Sequence, residues 1–239
     1  MKMNKKKVFT LALAVCLIAI LSLGTLAWFS DSDSVDNNFY IGDGGENADD
    51  IFSVNIWEHV DSDGDGEPDL YIGKDTDGGS FDYREVVPGD MLYKAVNVTN
   101  TGSNPEWIRV SVTVDNASVW AQLEDKYGFN LEDLLIRYDM TKLTDSTMWT
   151  HVAAETVTDT AADTVTYVFY KNTVLPDKNW SNFIYHVEIP EELDQHDLAL
   201  FEGNLFSMSF KADAIQVQNI DADNAVDAFA FMEGKIENL

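Results

Sequence analysis

Five carboxylates stand in one short run, Asp61-Ser62-Asp63-Gly64-Asp65-Gly66-Glu67-Pro68-Asp69. Acidic side chains at the first, third, fifth and ninth positions, with glycine at the sixth, match the opening of a calcium loop. Alternate residues of a tight turn can aim their oxygens at one point, and Gly66 permits the bend. The backbone carbonyl of Glu67 supplies a further oxygen. Calcium suits this set because it is a hard cation that takes about six to eight oxygens. The run departs from an EF-hand at its twelfth position, where Ile72 stands in place of a bidentate glutamate. Asp75, Asp77 and Asp82 are close enough in sequence to complete the shell. The candidate metal ligands are therefore Asp61, Asp63, Asp65, Glu67 and Asp69, with calcium as the cofactor. A solvated acidic turn is the competing description.

The segment looks more like the shorter Asp-rich loops of extracellular calcium-binding repeats than like an EF-hand. Other constellations carry less. The four histidines, His59, His151, His186 and His196, form no H-E-x-x-H pair that would set two zinc ligands on one helix face. His186 and Glu188 share one face of a strand pattern, and His196 lies between Asp194 and Asp197; each reads as a surface histidine. A zinc site from scattered ligands stays open. No G-x-S-x-G elbow or phosphate-binding P-loop is present. Carboxylate pairs such as Glu191-Glu192 and Asp49-Asp50 are expected by chance among 42 acidic residues. Trp57, Trp107, Trp120, Trp149 and Trp180 lie in or beside core-like patterns, so packing explains them better than sugar stacking.

Period-two alternation must position these residues. In Trp107 to Val114, Ile108, Val110, Val112 and Val114 face one way and Trp107, Arg109, Ser111 and Thr113 the other, which predicts a sheet with one buried face. Similar patterns cover 51–57, 92–99, 164–169, 183–189 and 205–218. Val119, Trp120, Leu123 and Tyr127 fall at helical spacing, and Gly128 suits a helix end. The stretch 131–143 fits helix or strand, and Val226, Phe229 and Met232 fit a weak C-terminal helix. Turns are read at 86–90, 101–105 and 175–179. Strands separated by polar turns, with short helical inserts, predict an all-β fold, an antiparallel β-sandwich.

The balance of 15 basic against 42 acidic residues, a net charge of −27, argues against nucleic acid as a partner. Lys2, Lys5, Lys6 and Lys7 precede an uncharged apolar stretch from Val8 to Ala27, and Thr25 and Ala27 occupy the small-residue positions a signal peptidase reads. A signal helix over 1–27, cut between Ala27 and Trp28, is expected; a retained membrane anchor is the rival. Cleavage would remove four lysines and no acidic residue, leaving 28–239 at −31, without the only cysteine, Cys16. The mature chain can then form no disulfide and use no thiolate, which for a secreted protein suggests a bacterial exterior. Residues 28–239 read as one domain, with a strongly acidic insert over 43–80.

Along the chain stand, in order, Leu26-Ala27-Trp28-Phe29-Ser30-Asp31, Phe39-Tyr40-Ile41-Gly42, Val87-Pro88-Gly89-Asp90, Val96-Asn97-Val98-Thr99-Asn100-Thr101-Gly102-Ser103, and Ala212-Asp213-Ala214-Ile215-Gln216-Val217-Gln218-Asn219. This ordered set resembles the TasA/camelysin family, secreted proteins of Gram-positive bacteria with a SipW-type signal peptide. The resemblance implies a jelly-roll-like β-sandwich at the cell surface or in the biofilm matrix, cut by a dedicated signal peptidase. Members polymerise into extracellular fibres in which the N-terminal segment of one subunit adds a strand to the next. Here that segment is 28–41, with Trp28, Phe29, Phe39 and Tyr40 as apolar anchors. The segment could equally fold back into its own domain. The implied partners are further copies or other matrix fibre proteins, with membrane contact only through an uncleaved signal. Metal-dependent protease activity is a second implication of the family, and a calcium-stabilised surface binding module is a third reading. The chain departs from the fibre-forming type in being acidic throughout rather than rich in lysine.

Overall fold

The computed structural model describes residues 30–35, 54–65, 67–73, 81, 83, 86–131, 148–201, 207–218 and 220–234. The strands are β1 (Ser30–Val35), β2 (Val54–Val60), β3 (Leu70–Ile72), β4 (Met91–Asn100), β5 (Glu106–Asp115), β6 (Trp149–His151), β7 (Val157–Asp159), β8 (Thr164–Lys171), β9 (Trp180–Glu188) and β10 (Met208–Gln216). The helices are α1 (Ala117–Tyr127), α2 (Gln195–Leu198) and α3 (Ala225–Met232). One sheet has the order β1-β10-β5-β8-β6, with β7 also on β8; the other has the order β3-β2-β4-β9. Every pairing is antiparallel.

The two sheets share one core, as the alternation predicts. Ile108, Val110, Val112 and Val114 of β5 and Met208, Phe210, Ala212 and Ala214 of β10 are all buried, together with Val54, Ile56, Val96 and Val98 of the other sheet. Phe183 on β9 packs edge-on to Trp149 and Phe169 across the layer, with centroids 5.0 and 5.3 Å away. Burying side chains of this size stabilises the fold by roughly 1.5–3 kcal/mol each. The simple alternation expected over 183–189 fails at one point. A register shift in the β4–β9 ladder lets the neighbours Phe183 and Ile184 both turn inward.

The helix expected from 117 to 127 is α1. Its Trp120 and Leu123 enter the core. Gly128 follows at φ 78° and returns its N–H to the Glu124 carbonyl, the left-handed geometry glycine adopts most readily. The other end is capped from afar, because the Asp163 carboxylate accepts from the Ser118 N–H and hydroxyl.

The expectation of one buried face holds only along part of β5. Trp107 is buried on the opposite face, with Val168, Tyr170 and Ile215, because α3 lies there and contributes Ala225, Ala228 and Phe229. Arg109 fastens this helix. It donates to Asp213 on β10 and to Glu233 beyond α3, and its guanidinium lies 4.5 Å from the Phe229 ring centroid. The acidic stretch 43–80 contains β2, which begins in the strand pattern read over 51–57, and β3, together half the strands of the smaller sheet. Residues 1–27, 132–143 and Phe206 lie outside the described residues.

Glu58 on β2 is buried in the inter-sheet layer, and Lys94 on β4 meets it at 2.6 Å. Lys94 also lies 5.5 Å from the Phe210 ring centroid. Tyr83, whose hydroxyl donates to the Tyr93 carbonyl, is kept protonated by burial and then by the Glu58 charge. Removing one member of a buried pair strands the other. Lys94→Met should therefore cost about 3–5 kcal/mol in urea melts, and adding Glu58→Leu should recover most of it. A Lys94→Met chain as stable as the parent would show that the pair is not coupled. A second ionic tie joins α2 to α1. Lys126 and Tyr127 hydrogen-bond Asp197 and hold its carboxyl down at about 2, against an ordinary 3.8. Its contribution is fully present above that ordinary value and is lost as pH falls through the folded one. The stability difference between the parent and Asp197→Asn should shrink over this acid window, and a constant difference would contradict the assignment.

Candidate functional site

The acidic run forms the tip of the β2–β3 hairpin. β2 and β3 pair with Glu58 opposite Ile72 and Val60 opposite Leu70. The Asp69 N–H closes the loop on the Val60 carbonyl at 3.0 Å. Inside the loop the carboxylates accept from backbone N–H groups. Asp61 takes that of Gly64 at 2.7 Å, Asp63 that of Asp65 at 3.3 Å, and Asp65 that of Glu67 at 2.9 Å. Such turns are the local preference of aspartate. Gly64, at φ 79°, takes the left-handed bend. The sequence had assigned the bend to Gly66, which lies outside the described residues.

The structure brings part of the expected ligand set together. Ligand oxygens of Asp61, Asp63 and Asp65 lie within 4.8 Å of one another. Asp69 is turned elsewhere, with its two oxygens accepting from the Ser62 N–H and hydroxyl at 2.7 Å each. Those bonds, the hydroxyl first, hold the Asp69 carboxyl below its ordinary range. Asp69 thus staples the loop while three other carboxylates converge. Neither Glu67 nor Asp69 belongs to the convergent group. Three like charges at this spacing repel, and a hard divalent cation relieves the repulsion. An all-oxygen set fits calcium; the remaining positions would go to a carbonyl and to water. Asp75, Asp77 and Asp82 lie outside the described residues.

Of the assembly segment 28–41, the structure describes Ser30–Val35. This strand runs antiparallel along β10, from Ser30 opposite Ile215 to Val35 opposite Phe210. Within the single chain its partner strand is therefore β10 of the same molecule. Ala27, Trp28, Phe29, Phe39 and Tyr40 lie outside the described residues.

The histidines are dispersed. His151 meets the Thr156 hydroxyl at 3.0 Å and stacks on Phe169. His196 is exposed in α2. His59 and His186 lie on the outer face of the smaller sheet, within a set of rings that the sequence reading missed. His59 stacks on Tyr71 at 4.0 Å, and Tyr93 stands edge-on to both histidines. Trp57 lies between Tyr71 and Trp180, at 5.7 and 6.4 Å from their ring centroids. Packing explains Trp57, Trp107, Trp120 and Trp149, which are buried, but not Trp180, which is 56% exposed. The signal was present in β2, where Asn55, Trp57 and His59 alternate with Val54, Ile56, Glu58 and Val60. Among the described residues, no helix is long and apolar enough to cross a membrane.

A calcium ion bound by Asp61, Asp63 and Asp65 would stabilise the folded state in proportion to the logarithm of its concentration. The melting temperature should rise in millimolar calcium, and Asp63→Ala with Asp65→Ala should abolish the rise. Asp69→Ala should weaken the response without removing it. A parent protein whose melting temperature ignores calcium has no such site.

The chain matches no protein-family model, no curated protein and no solved structure.

Proposed function

We propose that the protein is a secreted, non-enzymatic structural component of the cell surface or biofilm matrix of a Gram-positive bacterium. In this reading it is a jelly-roll-like member of the TasA/camelysin type, cut from its signal after Ala27. It assembles into fibres, or joins fibres of other proteins, by strand donation, and calcium tunes the process.

The observation that carries this reading is β1. It is the terminal strand of its sheet, and its pairing in the described fold is to β10 alone. Its sequence, Ser-Asp-Ser-Asp-Ser-Val, has one apolar residue, at Val35. Its backbone pairs with β10 along its whole length, from Ser30 to Val35. The same segment of a neighbouring copy offers β10 an equal set of bonds. Exchange between copies then needs little driving force, and a head-to-tail exchange that does not close yields a filament. Asp31 and Asp33 add repulsion between copies, which screening cations reduce.

Two other readings divide unequally. A calcium-stabilised surface binding module is favoured by the ring-covered outer face of the smaller sheet. A camelysin-type metal-dependent protease has less support. Among the described residues, the one convergent ligand group is made of carboxylates alone, which is calcium rather than zinc chemistry.

Electron microscopy of the mature chain should show filaments, more abundant with calcium. A chain lacking 28–41 should stay monomeric, and a peptide of that sequence should bind it. Filaments from the truncated chain would reject strand donation. Peptide cleavage that ceases when zinc is stripped would favour the protease.

A further inference from the structure

The outer face of the smaller sheet carries Tyr71, Trp57 and Trp180 in a continuous row across β3, β2 and β9, with Thr99 of β4 beside it. Both ends of the row are open, Tyr71 at 44% and Trp180 at 56% exposure. The ring between them is fixed in place, since the Trp57 indole N–H donates to the Thr99 hydroxyl at 3.0 Å. Scattered exposed rings are ordinary, but a row on one sheet face marks an interaction surface. Among the described residues, the two longer helices make their main sheet contacts with the larger sheet.

We propose that this face binds a polysaccharide chain free of anionic groups, its sugar rings stacking on Tyr71 and Trp180 across the edge of Trp57. Charge selects the class first. The protein carries −27, and the outward positions described on β2, β3, β4 and β9 hold no lysine or arginine, since Lys94 points inward to Glu58. Glu188 lies on this face, and the acidic hairpin tip adjoins it. Nucleic acids and acidic glycans are therefore repelled. Polarity selects next. Asn55 and Thr99 lie opposite each other beside the rings, with His59 and His186 further along the face. An apolar helix or lipid would want aliphatic side chains at those positions. A sugar presents C–H faces to rings and hydroxyls to amide, hydroxyl and imidazole groups, which both donate and accept. Geometry selects last, because a row along an open sheet suits successive units of a polymer, whereas a small ligand takes a concave site.

This binding surface is separate from the β1–β10 edge, so its failure and that of strand donation are distinguishable. The test titrates the purified protein, following tryptophan emission and heat, with hexamers of β-1,4-linked glucose and of β-1,4-linked N-acetylglucosamine, and with polygalacturonate as the anionic arm. At least one neutral hexamer should bind. Trp180→Ala and Tyr71→Ala should each weaken it roughly tenfold without lowering the melting temperature, and Leu200→Ala, exposed elsewhere, should leave it unchanged. The proposal is overturned if neither neutral hexamer binds at millimolar concentration, if the double variant binds as the parent does, or if polygalacturonate is preferred. It is also overturned if the double variant changes only the oligomeric state, which would assign the face to a second copy.

Discussion

A chain with a formal charge of −27 folds only if the layer between its sheets is kept nearly clear of that charge. β5 and β10 meet this constraint with alternating valine, isoleucine, alanine and phenylalanine on their inner faces. Glu58 is an instructive exception. It is buried in the layer and brings its own counter-ion, Lys94, from the adjacent strand. Glu106, at the start of β5, is buried as well, while other carboxylates lie in turns and loops. There carboxylates cap helices, as Asp163 does for α1, or fold a turn, as Asp69 does with Ser62.

Once the interior is neutral, the two outer faces are free to differ. That of the larger sheet is closed by α3, and Arg109 spans β5, β10 and the residue after the helix to hold it down. On that of the smaller sheet Tyr71 and Trp180 are exposed, while Trp57 between them is buried. The acidic hairpin belongs to this second face, because β2 and β3 lead directly into it. The convergent carboxylates and the rings are therefore neighbours on one side of the molecule. The β1–β10 edge belongs to the other sheet, so the proposed assembly and the proposed surface binding use different residues.

Much of the fold was legible in the sequence, because strict alternation leaves a sheet few choices. β4, β5, β8 and β10 were readable from their valine and aromatic periods, and α1 from Trp120, Leu123 and Gly128. Less regular elements escaped for physical reasons. β6 and β7 are three residues each, too short to show a period. β1 is all serine and aspartate until Val35, so its strand state follows from pairing with β10 rather than from propensity. The acidic loop was visible as a motif, yet the division of labour within it was not. Only the fold shows that Asp69 turns to Ser62 while Asp61, Asp63 and Asp65 converge. Trp180 was misread because it stands beside a core-like pattern yet lies on the outer face of the sheet, opposite Thr99.

The pairing of Ser30–Val35 with 210–215 joins the two ends of the described chain. A polypeptide emerging amino end first presents its opening strand long before β10 exists to receive it. Closing so wide a loop is entropically slow, and topologies dominated by distant contacts fold late. During that delay the only finished β10 edges nearby belong to molecules that emerged earlier. In the proposed assembly, the spacing of these two strands along the chain would set a kinetic window in which a crowded, newly made population is drawn toward its neighbours before it is drawn toward itself.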